Sequence, residues 1–177
     1  YVAKADEIPN GLQEIGRLRE VSFRAEGEGT GYAIDLDQFD EYYHHLFVWH
    51  NSRQEVVGAY RLGLSEEIIP NRGTYGLYTT TLFRFPDSWW LNVAPAIELG
   101  RSFVRLEHQR SYGALLALWR GIGAFLERHP QYRYLFGPVS ISGRYKTASK
   151  QLIASYLQSG PEPSVTPAVK ARTPPPS

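Results

Sequence analysis

The sequence predicts an α/β fold of the α+β type, in which a mixed, largely antiparallel central sheet is flanked by helices. Two apolar segments, residues 46–49 and 56–64, are separated by a polar turn at residues 51–54, a pattern typical of an antiparallel hairpin. In the second half of the chain, strand-like and helix-like patterns alternate. The chain has 177 residues, of which 42% are hydrophobic, enough for one substantial core. We therefore expect one folded domain.

The first half of the chain begins with a predicted helix. Asn10 is its predicted N-cap, and the residues that follow it at helical spacing are Leu12, Ile15, Leu18 and Val21. The glycine-rich run at residues 27–31 ends the helix and is expected to be a mobile loop. After the hairpin, the Thr-, Tyr- and Leu-rich residues 75–83 predict a third strand. Residues 86–97 are interpreted as a loop or short helix.

The second half continues with a fourth strand at residues 98–106. A helical stripe runs from Leu115 to Leu126, strand composition returns at residues 134–141, and a last helix is predicted from Tyr145 to Tyr156. The composition changes at Gln158, after which six of the chain's 12 prolines occur. We therefore expect one domain at residues 1–157 and a proline-rich linker or disordered tail at residues 158–177.

Composition and charge exclude several classes of function. The 19 basic and 18 acidic side chains give a net charge of +1, which argues against nucleic acid as a partner. Absence of cysteine excludes a thiol nucleophile and a thiolate metal site. The pair His44 and His45 has no third ligand at recognisable spacing, so no metal is predicted. With no long apolar run and no signal peptide, the chain is predicted to be cytoplasmic.

Two charged residues, Glu98 and Arg101, lie three positions apart on the predicted fourth strand. The alternation of a strand places them on opposite faces unless a bulge re-aims one of them. One interpretation makes Glu98 a base and Arg101 a partner for an anion or carbonyl. The other is a pair of structural ion bridges in the core.

Two further patterns could bind substrate. Asp37 and Asp40 could share a face and hold a cationic group, or could be solvated charges. Arg110 and Gly113 stand where a strand leads into a helix, and backbone N–H groups there could receive a phosphate or a pantetheine carbonyl. An ordinary turn explains that segment as well.

Several blocks, taken in order, resemble one known family. They are Leu18-Arg19, the Asp37/Asp40 pair, residues 58–62, residues 98–104 and residues 135–142, the last of which includes Ser140. Together they resemble the bacterial N-acyltransferases often labelled hemolysin-like, which are related to the GNAT fold. These enzymes acylate the amino group of an amino acid such as ornithine or glycine to begin an aminolipid. The resemblance covers roughly residues 8–157.

A more distant resemblance is to acyl-homoserine lactone synthases. The shared positions are Arg19, Asp37, Asp40, Arg61, Glu98 and Arg101. Both families use acyl carrier protein as donor, which the resemblance implies here, with acyl-CoA as the alternative and no bound cofactor. The segment 110–115 fits only half of the GNAT loop that grips the coenzyme A pyrophosphate, because Leu115 replaces its last small residue. Pantetheine attached to a carrier protein has no nucleotide, so a carrier-bound donor does not need a complete pyrophosphate-binding loop.

The resemblance also assigns roles. Glu98 would deprotonate the amine and Arg101 would help to organise the catalytic centre. Arg19, Asp37, Asp40 and Arg61 would bind the amino acid, and Arg110, Gly113 and Ser140 would bind the acyl donor.

Two departures from the family keep other functions open. The segment that completes the sheet in relatives has no counterpart in the proline-rich tail, so closing C-terminal strands could be missing. A start at Tyr1 and the absence of methionine suggest part of a longer frame, such as a fusion behind a glycerolipid-acyltransferase-like domain, with peripheral contact at the inner face of the membrane. The alternatives are an acyl-homoserine lactone synthase and a non-catalytic acyl-binding module.

Overall fold

The computed structural model describes residues 1–110, 112–143, 145–159 and 170–171. The helices are α1 (Pro9–Ala25), α2 (Ser65–Arg72), α3 (Thr79–Leu82), α4 (Asp87–Val93), α5 (Tyr112–Arg128) and α6 (Thr147–Ser159). The strands are β1 (Val2–Ala3), β2 (His44–His50), β3 (Glu55–Leu64), β4 (Phe83–Arg84), β5 (Ala96–Val104), β6 (Tyr134–Phe136) and β7 (Lys170–Ala171).

The central sheet has the strand order β1-β2-β3-β5-β6. Every neighbouring pair from β1 to β5 is antiparallel, whereas β6 runs parallel to β5. The β2–β3 hairpin turns at residues 51–54, which confirms the hairpin predicted from the sequence. The predicted mixed, largely antiparallel sheet flanked by helices is therefore confirmed.

The two faces of the sheet pack against different helices. On one face, Leu62 of β3 packs with Leu118 and Ile122 of α5. On the other face, Ala59 of β3 packs with Ile15 and Leu18 of α1. Because side chains alternate along a strand, Arg61 shares the α1 face with Ala59. The sequence pattern of β3 thus places a charged side chain beneath the first helix.

A third cluster of buried residues is rich in aromatic side chains and lies around the segment between β3 and β5. Its members are Phe39, Tyr43, Ile68, Leu77, Trp89, Trp90 and Val93. Phe136 of β6 packs against the same cluster. This packing fixes the position of Tyr78 and Thr79, which follow Leu77 in the chain.

Several predicted boundaries differ from the structure. Helix α1 starts earlier than expected: its N-cap is Ile8, and Pro9 occupies the first turn, where its fixed φ suits a helix. The strand predicted at residues 75–83 is wrong. That segment forms a 3₁₀ turn at Thr74–Gly76 and the short helix α3 instead. The backbone N–H groups of Tyr78 and Thr79 donate to the Glu98 carboxylate rather than to a neighbouring strand.

Strand β6 is shorter than the predicted residues 134–141. It pairs with β5 only from Ala96 to Glu98, at the start of that strand. A side-chain carbon on Gly137 would collide with the carbonyl oxygen of Leu99, so only glycine allows the chain to pass so close to β5 there. Beyond this point the two segments cease to pair. Strand β5 itself spans Ala96–Val104 rather than residues 98–106.

At the C-terminal end, helix α6 continues to Ser159, two residues past the predicted boundary. Most of the predicted tail at residues 158–177 lies outside the described residues, although β7 pairs with β4. In the described part of the chain, the central sheet ends at β6. Among those residues, no helix combines the length and the apolar character needed to cross a membrane.

Candidate functional site

Arg19 lies at the centre of a charged cluster beneath α1. Only 1% of its surface is exposed, and it donates to both carboxylate oxygens of Asp40, at 3.1 and 2.8 Å. Its Nε lies 3.3 Å from the Asp35 carboxylate, and its Nη2 donates to the Asp35 carbonyl oxygen. A bidentate pair of this kind fixes both side chains in one orientation.

Arg61 enters the same cluster from β3. Its Nη1 lies 2.6 Å from Asp37 Oδ1 and 3.2 Å from Asp40 Oδ2. Burial alone would raise the pKa of Asp40, but the hydrogen bonds and charge of Arg19, with the charge of Arg61, lower it below its usual value. Asp40 is therefore an anion that two buried guanidinium groups share.

Aromatic rings surround the Arg61 guanidinium. Its central carbon lies 5.1–5.5 Å from the ring centroids of Phe39, Tyr43 and Tyr78. Cation–π attraction stabilises the charge that burial has removed from water. Among the residues that the structure describes, no hydrogen-bond partner is present for Arg61 Nε or Nη2.

Glu98 is buried and its hydrogen-bonding capacity is filled. Its carboxylate accepts from the Tyr43 hydroxyl, the Tyr78 N–H, the Thr79 N–H and the Thr79 hydroxyl. A carboxylate has about four lone-pair sites, so these four donors occupy all of them. Burial, followed by the charge of Glu98, raises the pKa of Tyr43. Tyr43 therefore stays a neutral donor.

A β-bulge brings Arg101 to the same region as Glu98. The register of β3 and β5 shifts between Ala59 and Arg61, and Arg101 has a positive φ of 49°. The side chain consequently turns toward the aspartates, with Nη1 at 3.4 Å from Asp35 Oδ2 and Nη2 at 3.3 Å from Asp37 Oδ2. The guanidinium lies 5.4 Å from the Tyr78 ring, whose backbone N–H binds Glu98. A bulge was the condition under which the sequence allowed Glu98 and Arg101 to face the same region, and it is present.

Asp37 and Arg101 are the members of the cluster that reach solvent. Their side chains are 25% and 21% exposed, against 1–2% for Arg19, Asp35, Asp40 and Arg61. We call Asp37 and Arg101 the rim. A substrate that approaches the cluster meets these two opposite charges first.

A groove of about 280 Å³ runs beside the rim along β5. It is lined by Ser102, Phe103 and Val104 of β5 on one side and by Ser140 on the other. Within the described residues, no strand pairs with this edge of β5 beyond Glu98. Phe23 also lines the groove, and its ring centroid lies 6.0 Å from the Arg101 guanidinium. Groove and rim are therefore neighbours.

The structure groups the sequence-predicted site residues into two sets. The first set lies in one cluster and comprises Arg19, Asp37, Asp40, Arg61, Glu98 and Arg101. In the second set, Ser140 lines the groove and donates to Glu28 Oε2 at 2.8 Å. Arg110 and Gly113 are exposed near the start of α5, and Arg110 directly follows Gln109, which lines the groove. The proposed roles of all nine residues stay predictions.

Three residues that shape the site were missed by the sequence reasoning. Asp35 belongs to the cluster, and its position in the acidic stretch with Asp37 and Asp40 could have suggested it. Tyr43 and Thr79 hold Glu98. Nothing in the local sequence pattern marks them, because their partner is distant in the chain.

The two adjacent histidines do not share a site. His45 is buried and its Nε2 lies 2.9 Å from the Asp40 carbonyl oxygen, whereas His44 lies 3.3 Å from Glu67. Burial lowers the pKa of His45, so its ring is neutral near pH 7. Among the described residues, no group of three or more His, Asp or Glu side chains is placed to hold a metal ion.

Comparison with known proteins places this chain in a family. A model described as an acetyltransferase (GNAT) domain matches residues 18–120, more than half of the chain. A relative from Bacteroides thetaiotaomicron, named glycine N(alpha)-acyltransferase, is 37% identical over 169 residues, covering 89% of this chain and 50% of the relative. A Phocaeicola vulgatus protein of the same name is 37% identical over 168 residues, with 89% and 52% covered.

The chain spans about half the length of these curated relatives. The narrower resemblance to hemolysin-like and ornithine-lipid enzymes stays a prediction. With its mixed sheet, its flanking helices and the matching domain model, this chain belongs to the GNAT acetyltransferase family.

Proposed function

We propose that this chain is the acyl-transferring domain of an N-acyltransferase. The enzyme moves a fatty acyl group from a thioester donor to the amino group of a small amino acid such as glycine. Two relatives at 37% identity are named glycine N(alpha)-acyltransferase. The observation on which the proposal depends is the partly exposed pair Asp37 and Arg101. The pair lies beside a groove along the edge of β5 with which no described strand pairs beyond Glu98.

The reaction is a direct transfer. The amino group first loses a proton, and the neutral nitrogen then attacks the thioester carbonyl carbon. A C–N bond forms, the C–S bond breaks, and the thiol leaves with a proton, so the sum is amide, thiol and one released proton. The chain has no cysteine for a thioester intermediate, and a direct attack requires none.

Acyl carrier protein is the donor that we favour over acyl-CoA. The groove can take the extended pantetheine arm, which both donors share. The start of α5, where related enzymes bind the nucleotide pyrophosphate, has Leu115 in place of a small residue, and that leucine is about half exposed. A carrier-bound arm needs no nucleotide site there, which supports the carrier protein.

The product would be an amphiphile, so we place the reaction at the cytoplasmic face of the membrane, as a step of aminolipid synthesis. The solvent side of α5 supports this placement. Tyr112, Leu116 and Trp119 are between half and fully exposed there, and Arg120 lies beside them. Exposed aromatic and aliphatic side chains with neighbouring arginines are typical of helices that lie at an anionic lipid surface.

The test is an acyl-transfer assay on the protein purified from its full reading frame. A long-chain acyl carrier protein is incubated with glycine, and the N-acylglycine product is detected by mass spectrometry. We expect product with glycine, little without it, and a lower rate when acyl-CoA replaces the carrier-bound donor. Absence of any amide product with either donor, across glycine, alanine, serine and ornithine, would refute the proposed function.

A further inference from the structure

We propose that Asp37 and Arg101 form a clamp for the two charged ends of a free α-amino acid, in which Arg101 binds the carboxylate and Asp37 binds the ammonium group. This inference rests on the proposed function and names the part of the acceptor that the protein recognises. It predicts that the enzyme selects its acceptor by the α-carboxylate as well as by the amine.

Arg101 has spare capacity to bind an anion. A guanidinium group has five N–H donors, and here the ion-pair contacts with Asp35 and Asp37 are long, at 3.4 and 3.3 Å. Arg19, by comparison, binds Asp40 at 2.8 and 3.1 Å with both Nη atoms. Arg101 is therefore charged, partly exposed and only loosely paired. A substrate carboxylate could form shorter hydrogen bonds with it than the two aspartates do.

Asp37 has one oxygen engaged and one nearly free. Its Oδ1 accepts from Arg61 Nη1 at 2.6 Å and from the Phe39 N–H at 2.9 Å, which fixes the orientation of the carboxylate. Its Oδ2 has the long contact with Arg101. Because a quarter of the side chain is exposed, Oδ2 can accept a hydrogen bond from an ammonium group. The short bonds to Oδ1 hold it in place for that contact.

Glu98 and the other aspartates are less suited to meet the amine. Glu98 is 1% exposed and its lone-pair sites are occupied by donors from Tyr43, Tyr78 and Thr79. Asp35 and Asp40 are 2% exposed and paired with Arg19. Asp37 is the member of these four carboxylates that solvent reaches.

The closeness of the two rim charges selects the class of ligand. Asp37 Oδ2 and Arg101 Nη2 are 3.3 Å apart, so a ligand that bridges them must hold its own opposite charges close together. An α-amino acid does so, because a single carbon separates its nitrogen from its carboxylate. A distal side-chain amine, as in ornithine, is too far from the carboxylate to occupy the same clamp. Transfer is thereby directed to the α-amine.

The charges at the rim favour a zwitterion in the same way. The rim holds one charge of each sign, on Arg101 and Asp37. An α-amino acid presents one charge of each sign to this pair. An amine without a carboxylate adds a positive charge and leaves Arg101 without an added anion.

The rim is also placed to present the amine to the donor. Phe23 lies between the two sites, since its ring lines the groove and lies 6.0 Å from the Arg101 guanidinium. An amino acid held on Asp37 and Arg101 would thus lie close to the groove in which we place the thioester. Binding at two points orients the nitrogen, which is how positioning accelerates a reaction between two substrates.

The test compares glycine with glycinamide, which keeps the amine and lacks the carboxylate. In the parent protein from the full reading frame, we expect kcat/KM for glycinamide to be roughly 10- to 100-fold lower than for glycine, because a charged hydrogen-bond pair is lost. In Arg101→Gln, kcat/KM for glycine should fall by a similar factor while glycinamide changes little. Arg17→Gln, an exposed change on α1, is the matched control and should leave both acceptors unaffected.

Two results would overturn the clamp while leaving the proposed function intact. One is equal use of glycine and glycinamide by the parent protein. The other is an Arg101→Gln variant that loses both acceptors equally although its thermal unfolding is unchanged. If Arg101→Gln fails to fold, Asp37→Asn replaces it, and we expect a raised KM for glycine with a smaller change in kcat.

Failure of the proposed function itself would be seen separately, as absence of amide product with every acceptor. In that case, ¹⁵N-glycine binding is measured by NMR without any donor. Binding that the parent shows and Arg101→Gln loses would support the clamp. No binding to the parent would refute it.

Discussion

The charged cluster has two regions of similar chemistry and different surroundings. The interior, which we define as Arg19, Asp35, Asp40, Arg61 and Glu98, is 1–2% exposed. The rim, Asp37 and Arg101, is a fifth to a quarter exposed. Arginines and carboxylates make up both regions, so residue type does not distinguish them. Burial distinguishes them.

This difference implies a division of labour. Interior charges have left water and depend on their partners, so removing one partner leaves another charge uncompensated. Rim charges keep access to water, and their mutual contacts are long. Interior substitutions should therefore change the free energy of unfolding, whereas rim substitutions should change the use of the acceptor.

The largest effect is expected from Asp40→Asn in the interior. Two buried guanidinium groups, of Arg19 and Arg61, would lose their shared anion. We expect the free energy of unfolding to fall by about 3–5 kcal/mol, measured by urea denaturation at pH 7.

The matched control for Asp40→Asn is Glu14→Gln, which breaks an exposed ion pair with Arg17 on α1. That change should stay within about 0.5 kcal/mol of the parent. If Asp40→Asn were as stable as this control, the interior would not be the structural half of the cluster, and the comparison with the rim would fail.

A smaller loss is expected from Glu98→Gln, which tests whether this residue belongs with the interior. A glutamine amide would direct N–H groups at the donors of Tyr43, Tyr78 or Thr79, and unsatisfied buried groups cost about 1–3 kcal/mol. In Glu98→Gln, the free energy of unfolding and the rate of acyl transfer should fall together. Thr79→Val, which removes one donor, should reproduce part of the effect, and Thr79→Ser should not.

The opposite result would return Glu98 to the role inferred from the sequence. A Glu98→Gln protein that unfolds like the parent but transfers no acyl group would identify this carboxylate as the base. The two readouts are independent, since urea denaturation needs no substrate.

How well the sequence predicts this site depends on how far apart in the chain the interacting residues lie. The hairpin, α1 and α5 depend on local periodicity, and all three were predicted. The membership of Glu98 could be inferred because a charge on an apolar strand needs a partner. Arg61 was identified through the resemblance to known acyltransferase and synthase families. The strand predicted at residues 75–83 was wrong because its N–H groups bind Glu98, which lies about twenty positions later in the chain.

The division between interior and rim could not be predicted from the sequence. The direction of Arg101 depends on a bulge and a positive φ, and the positive φ falls on the arginine itself rather than on the neighbouring Gly100. The exposure of Asp37 and the burial of Asp40 differ although the residues are three positions apart. Residues 34–36 pack against Gly16 of α1, where the Asp35 N–H donates to the Gly16 carbonyl oxygen, and this contact between distant parts of the chain positions the segment that carries both carboxylates.

The smallest effect is expected from a substitution of Glu20. This residue extends the comparison to the edge of the groove. This buried side chain of α1 binds the glycine-rich loop, accepting from the Thr30 hydroxyl, the Thr30 and Gly31 N–H groups and Arg24. Hydrogen bonding, from Thr30 first, lowers the pKa of Glu20 to about 2, from an ordinary value of 4.5. Because the folded value lies below the unfolded one, this stabilisation is present above pH 4.5 and is lost as the pH falls toward 2.

Glu20→Gln should therefore lose stability at pH 7 and show a flatter decline between pH 5 and pH 2 than the parent, by urea denaturation across that range. Glu14→Gln on the same helix is the control, since its lowered pKa depends mainly on the exposed Arg17 and its removal should flatten the curve less. Glu28, whose carboxylate accepts from Ser140 across the groove, belongs to the loop that Glu20 holds. If Glu20→Gln instead kept the parent's pH profile, the loop would not depend on the buried Glu20 carboxylate. Burial would then not be the property that distinguishes structural charges from substrate-facing charges in this protein.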